Sequence, residues 1–261
     1  MVTEIIRTEK LVKNYYRNND TKNPEARIEV LKGLDITVNE GEYVCIMGSS
    51  GGGKTTLLKI FGMMEAITDG KFYFKGRDAS DLWKDELADI RRREIGFVFQ
   101  DFYLMDSLSV GENIMVPMIL DKALASEMKE KMQGLAKRFG VEKLLDKAPK
   151  ELSGGEKQRI AICRALINDP DVIMADEPTG NLDAKSSRRL METFDEINQG
   201  MKKNIILVTH DPKIACRSSK IFFIDDGVIA AVLEKREGDS AQFYREILRM
   251  MEQMEGEADA D

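Results

Sequence analysis

Gly48-Ser49-Ser50-Gly51-Gly52-Gly53-Lys54-Thr55-Thr56 fits the pattern G-x-x-x-x-G-K-[ST]. Glycines let successive backbone N–H groups turn inward around a phosphate without a Cβ clash. Lys54 would reach the β- and γ-phosphates, and the Thr55 hydroxyl would ligate Mg²⁺. A glycine-rich turn that binds nothing would leave the Lys-Thr pair unexplained. The loop therefore points to a nucleoside triphosphate, without saying which one. Farther along, Asp176-Glu177 closes an apolar run. Asp176 suits a Mg²⁺ held through water, and Glu177 suits a base that polarises an attacking water. Gln100 closes another apolar run, at the kind of edge where open α/β sheets bind ligands. A glutamine that merely opens a loop fits that position equally well. His210, the single histidine, also ends an apolar run. A lone histidine is more often structural, yet here it could hold a γ-phosphate or the attacking water.

These residues need elements to hold them. Tyr43–Met47 is an apolar run of strand length, and Leu57-Leu58-Lys59-Ile60-Phe61 is apolar at helical spacing. The phosphate-loop motif thus lies between a strand and a helix whose N-terminus faces the same anion. Residues 95–99, 171–175 and 204–208 read as buried strands, and 28–31 and 34–38 alternate like half-buried ones. Residues 17–26 read as an exposed loop, and 80–93, with the only tryptophan (Trp83), as helical. Helical patterns at 110–120, 125–139 and 141–146 make 101–150 a helical insertion, with an apolar cluster at Phe102-Tyr103-Leu104-Met105. That cluster fits a partner surface or local packing equally.

Ser153-Gly154-Gly155-Glu156 opens a helix running through Leu166. The bland reading is a capping box. The sharper one is a second anion-facing helix N-terminus, which a second copy of the chain would use. Asp183 caps the following helix, through about Ile197. Residues 221–232 form a hairpin around Asp225-Asp226-Gly227. Asp239 and Gln242 open a last amphipathic helix, ahead of an acidic tail, 255–261, expected to be disordered. Spacing alone favours packing on the sheet for Tyr15 and Tyr16.

Composition bounds the possibilities. The chain has 261 residues, 43% hydrophobic and 33% charged, which suits one large α/β domain or two small ones. A net charge of −7 disfavours nucleic acid as a partner. No run has the length of a membrane span, and Met1–Arg7 lacks the apolar core of a signal peptide. Cys45, Cys163 and Cys216 are far apart, and read as reduced cytosolic thiols, mostly in the core.

Taken together, Gly48–Thr55, Gln100, Leu152–Glu156, Val172–Glu177, Asn181-Leu182-Asp183 and His210 resemble, in order and spacing, the nucleotide-binding domain of ABC transporters. The resemblance covers roughly 3–233. It implies an α/β P-loop NTPase (RecA-like) core sheet with an antiparallel β subdomain and an inserted α-helical subdomain. The nucleotide-binding domain would span 1–233, with the helical insertion at about 101–150, and 234–261 would be a C-terminal extension. The implied activity is hydrolysis of ATP with Mg²⁺, in a head-to-tail dimer that sandwiches ATP between Gly48–Thr55 of one copy and Leu152–Glu156 of the other. Tyr15 then becomes the adenine-stacking aromatic, against the local preference for packing. Lys54 holds phosphates, while Thr55, Gln100 and Asp176 serve the metal. Ser153, Gly154 and Gly155 contact the γ-phosphate in trans. Glu177 is the general base, His210 the switch residue, and Asp183 signals across the dimer. The insertion would receive coupling helices from a membrane permease, which places the chain on the cytoplasmic face of the membrane. Asp176–Asp183 and Val208–Asp211 are similar to the branch containing lipoprotein-release, macrolide-export and cell-division ATPases. Phe99–Val110 and Gln242–Leu248 look most like the bacitracin-resistance type, which detects or removes antimicrobial peptides. Gly52 departs from the pattern where Ser is common. A soluble ABC ATPase acting on DNA or ribosomes is the reading from a different class. It is disfavoured by the acidic charge and by the lack of a coiled-coil insertion or a tandem second ATPase domain. A simple P-loop kinase would leave Leu152–Glu156 and His210 unexplained.

Overall fold

Every residue from Tyr43 to Met47 is buried, so this segment can only be an interior strand. It organises the first of two compact units in the computed structural model, which describes residues 3–19, 23–236 and 238–258. The first unit comprises 1–87 and 206–261, and the second 88–205.

The first unit begins with β1 (Glu4–Tyr16), β2 (Arg27–Leu34), β3 (Thr37–Asn39) and β4 (Tyr43–Gly48), then α1 (Lys54–Phe61), β5 (Asp69–Phe74) and β6 (Arg77–Asp78). β1 is the hub of an antiparallel sheet ordered β2-β1-β5-β6, with β3 also paired to β1. Its inward row, Ile6, Leu11, Leu31, Leu34 and Phe74, is almost fully buried. The chain leaves this unit within α2 (Lys84–Arg93). Trp83 precedes that helix and is 80% exposed, so the sequence pattern placed the helix start too early. Glu86 accepts the Trp83 N–H at 2.8 Å and sets the boundary.

The second unit holds β7 (Ile95–Phe99), α3 (Val110–Leu120), α4 (Ala125–Arg138), α5 (Gly154–Leu166), β8 (Val172–Asp176) and α6 (Ala184–Asp195). β7 and β8 pair in parallel, with Phe99 opposite Asp176. α5 lies against β7 along Ile160–Leu166, which is nearly all buried. The helical expectation at 141–146 shrinks to one 3₁₀ turn, Glu142–Leu144.

β9 (Asn204–Val208) returns the chain to the first unit, followed by α7 (Pro212–Ala215), β10 (Lys220–Asp225), β11 (Val228–Glu234) and α8 (Ser240–Ala258). β10 pairs with β4 in parallel, Lys220 opposite Val44 through Ile224 opposite Gly48, and β11 closes a hairpin on β10. α8 is anchored by the fully buried Phe243 and Ile247. It continues through Ala258, past the start of the expected disordered tail; 259–261 lie outside the described residues, as do 20–22 of the expected loop. Parallel strand pairs joined through helices, with a separate antiparallel sheet, make this an α/β fold of the P-loop NTPase type.

Candidate nucleotide site

In the first unit, β4 delivers the chain to the glycine-rich loop and α1 carries it away. Gly48 has φ 137°, and a Cβ there would collide with the Ile224 carbonyl on the paired strand. Gly53 has φ 97°, and a Cβ would fall 2.6 Å from Leu31 Cδ2. Both positions require glycine. Gly52 is less constrained, since a Cβ would sit 3.1 Å from the Ile224 carbonyl oxygen and from Ser49 Oγ. Lys54 Nζ donates to the carbonyls of Gly48 (3.0 Å) and Ser49 (2.6 Å), so it curls back over the loop. Gly51, Gly53, Lys54, Thr55 and Thr56 line an open cleft of about 170 Å³ at the start of α1. The N–H groups of that helix terminus and the Lys54 cation supply what a phosphate chain needs.

Tyr15 is tied to the same helix. Its hydroxyl bonds to the Glu65 carboxylate and to Thr56, and Lys13 Nζ stands 4.9 Å from its ring centroid. Burial and the Glu65 hydrogen bond raise the Tyr15 phenol above its ordinary value, against the Thr56 bond. Ser50 lies in the exposed tip of the loop. On one flank of the loop, the Thr209 N–H donates to the Ile46 carbonyl at 3.3 Å, which brings His210 beside Met47 and Gly48. On the other flank, β10 ends at Asp225, whose Oδ1 accepts the Ser49 hydroxyl at 2.6 Å.

In the second unit the remaining candidates gather around the start of α5. Ser153 caps it: Ser153 Oγ accepts the Glu156 N–H at 3.4 Å, and Glu156 Oε2 accepts the Ser153 N–H at 2.8 Å. Those bonds from Ser153 hold the Glu156 carboxyl below its usual range. A Cβ on Gly155 would sit 2.9 Å from Ser186 Oγ, and one on Gly154 3.4 Å from the Asn181 carbonyl oxygen. The two glycines therefore let the helix start pack closely on residues 181–186. Asp183 caps α6 there, accepting the Lys185 N–H (2.9 Å), the Ser186 N–H (3.0 Å) and the Ser186 hydroxyl (2.7 Å), which lower its carboxyl. Asn181 Nδ2 donates to the Gln100 carbonyl (3.2 Å) and to Asp101 Oδ1 (3.1 Å). Gln100 packs on Gly180, where a Cβ would be 2.8 Å from its amide. Asp176 ends β8, and Glu177 follows with φ 44°, a left-handed turn that redirects its side chain.

Two residues that sequence reasoning passed over hold this cluster together. Buried Gln158, on α5, donates from Nε2 to the Pro178 carbonyl at 2.7 Å and the Phe99 carbonyl at 3.4 Å, joining the ends of β7 and β8. Arg164 donates to the carbonyls of Phe102 (2.6 Å) and Tyr103, both in left-handed conformation. An arginine inside the apolar run Ile160–Leu166 was the signal available for it. Among the described residues, no group of three or more His, Cys, Asp and Glu could hold a metal alone. In the second unit the oxygen donors Gln100 and Asp176, and in the first unit the Thr55 hydroxyl, are each of the hard kind that suits Mg²⁺, an ion that keeps few protein ligands.

Residues 31–180, which contain the phosphate loop, the Ser153–Glu156 cap and the Asp176-Glu177 pair, match the family described as ABC transporter. The chain belongs to the ABC transporter family. This ABC ATPase is 41% identical over 92% of its length to the ABC transporter ATP-binding protein YxdL of Bacillus subtilis, covering 93% of that protein. It is also 41% identical, over 85% of its length, to the bacitracin export ATP-binding protein BceA of Halalkalibacterium halodurans, covering 87% of it. Among solved structures it resembles the dimeric, post-hydrolysis ATP-binding cassette MJ0796 bound to ADP and Pi. The TM-score is 0.79 at 35% identity, over 88% of this chain and 99% of that one. The protein is an ATP-binding and ATP-hydrolysing transporter subunit.

Proposed function

We propose that this ABC ATPase powers a separate membrane permease that exports, confers resistance to, or senses antimicrobial peptides. It works as a head-to-tail homodimer on the cytoplasmic face of the membrane. The observation that carries this reading is the 41% identity to a bacitracin export ATPase across most of both chains. In this reading 1–233 form the nucleotide-binding domain, with the insertion at about 101–150, and 234–261 an extension.

The residue roles follow from chemistry. Tyr15 offers a ring to adenine; Gly48–Thr56 cradle the phosphates, with Lys54 exchanging its two carbonyl partners for phosphate oxygens. Thr55, Gln100 and Asp176 would hold Mg²⁺, which would supply positive charge against the phosphates. Glu177 accepts the proton of the attacking water and His210 holds the γ-phosphate. Ser153, Gly154 and Gly155 of the second copy close the sandwich, and Asp183 couples the two sites.

The second unit also offers a place for the permease. A groove of about 530 Å³ runs along Arg92, Phe97, Tyr103, Leu120 and Arg164. Its surroundings expose Leu120 and Leu124, 63% and 73% accessible, with Tyr103 and Met105. An amphipathic cytoplasmic helix of the permease suits that groove, with its apolar side on the leucines. Affinity capture from detergent-solubilised membranes, with the partner identified by mass, tests the assignment. Recovery of a large permease with a big extracellular domain is expected, and Leu120→Arg should abolish it while ATP still binds. A permease with few spans and a modest external domain would reassign the chain to lipoprotein, macrolide or cell-division systems. Ribosomes or DNA in its place would overturn the permease reading.

A further inference from the structure

A second cavity in the first unit, of about 140 Å³, is lined in part by Gly48 and Ser49, the first residues of the phosphate loop. Met47 and Phe223, from β4 and β10, form its floor, and both are buried. Met251 and Met254 of α8 form its roof. His210 and Asp225 bring polar groups to it from the two flanks of the loop. We infer that this cavity is a binding site for a small amphiphile: an apolar body of about one ring, carrying an ammonium group that pairs with Asp225.

Three observations carry this. The volume is close to that of a dry cavity of about 150 Å³ that accepts benzene. Methionine walls adapt to the shape of an apolar guest, because the thioether chain is flexible and polarizable. The carboxylate supplies the charge preference. Neighbouring Asp226 is paired with Lys32 at 2.6 Å, whereas Asp225 has no ion pair among the described residues. Its partner is the neutral Ser49 hydroxyl, and an ionised carboxylate can accept several further donors. A cation is therefore favoured beside Asp225. The roof is held independently of the cavity. Phe243 and Ile247 are buried, and Cys216 Sγ bonds to the Ser240 carbonyl at 3.3 Å, fastening α8 beside α7. Since Ser49 belongs to the phosphate loop, an ammonium paired with Asp225 weakens the hydrogen bond that steadies the loop.

The test uses the full chain without nucleotide and phenethylammonium as the probe, followed by titration calorimetry. Saturable binding is expected, with 2-phenylethanol and phenylacetate binding at least about tenfold more weakly. Asp225→Asn should weaken the ammonium by a similar factor, and Met254→Trp, which fills the cavity, should abolish binding. Saturating probe should lower the apparent ATP affinity several-fold. Equal binding of the alcohol and the ammonium, wild-type affinity in both variants, or no binding at millimolar probe would overturn the assignment. If one variant fails to fold, the comparison of the three probes on the wild type still decides.

Discussion

The thiols show how far a single side chain's surroundings decide its chemistry. Cys163 is buried on α5, and burial pushes its thiol up to about 12. Cys45 is equally buried, on β4. Cys216 is half-buried, and burial raises its thiol too, opposed by Lys235 and Arg217. A thiol-reactive maleimide should therefore label Cys216 alone, and slowly, at neutral pH, with all three labelled only after unfolding. Mass spectrometry of the labelled protein reads the result, and rapid native labelling of Cys163 would contradict it. Glu65 sets a pH dependence. Burial would raise its carboxyl, but hydrogen bonds from Tyr15 and Lys13, with the nearby lysine charges, outweigh it and hold the group below its ordinary 4.5. The unfolded chain then binds that proton more tightly, so the contribution is present above the ordinary value and lost as pH falls through the folded one. Between about pH 5 and pH 3 the wild type should lose more stability than Glu65→Gln, measured by urea unfolding. Parallel losses would remove Glu65 from the account.

At the scale of elements, α5 is the member that its unit depends on. Its N-terminus is capped by Ser153, its middle joins two strand ends through Gln158, and Arg164 holds the turn after Gln100. Ser153→Ala should cost about 1 kcal/mol of stability, the usual loss of a helix cap. It should also lower ATP turnover much more than that loss explains, if the same hydroxyl meets the γ-phosphate in the partner copy. A stability loss with full turnover would leave Ser153 as a cap only. Arg164→Met keeps the apolar stem of this half-buried side chain but removes both donors to the left-handed turn at Phe102 and Tyr103. Hydrogen bonds from a charged donor contribute about 1.5–3 kcal/mol, so amide exchange at 102–105 should accelerate about tenfold or more. Amides of β8 should be unaffected, and a uniform increase across the unit would mean general destabilisation instead.

For the whole molecule, the central expectation concerns assembly. Glu177→Gln keeps the shape of the side chain and removes the proposed base, so ATP binding should survive and hydrolysis should stop. The bound nucleotide would then trap the head-to-tail dimer, seen by size-exclusion chromatography with ATP and Mg²⁺. Wild-type turnover in this variant would refute the role given to Glu177, and a persistent monomer with bound ATP would refute the sandwich.

The chemistry of this protein was largely written in short stretches. The phosphate loop between strand and helix, the Ser153–Glu156 capping box and the carboxylates ending β8 all depend on interactions spanning a few residues, and local sequence states such interactions directly. The same holds for the Asp225-Asp226-Gly227 hairpin and for α8, although its length went unread because an acidic tail gives little helical pattern. Other features needed the folded chain. Tyr15 and Glu65 are 50 positions apart, and Gln158 and Phe99 59. The Ser49–Asp225 bond, between residues 176 apart, exists because the parallel register of β4 and β10 sets Gly48 opposite Ile224. The cavity under α8 depends on that register as well. Long-range neighbours are chosen by strand register and by which apolar faces close on one another. These are properties of the packed molecule that no local pattern contains.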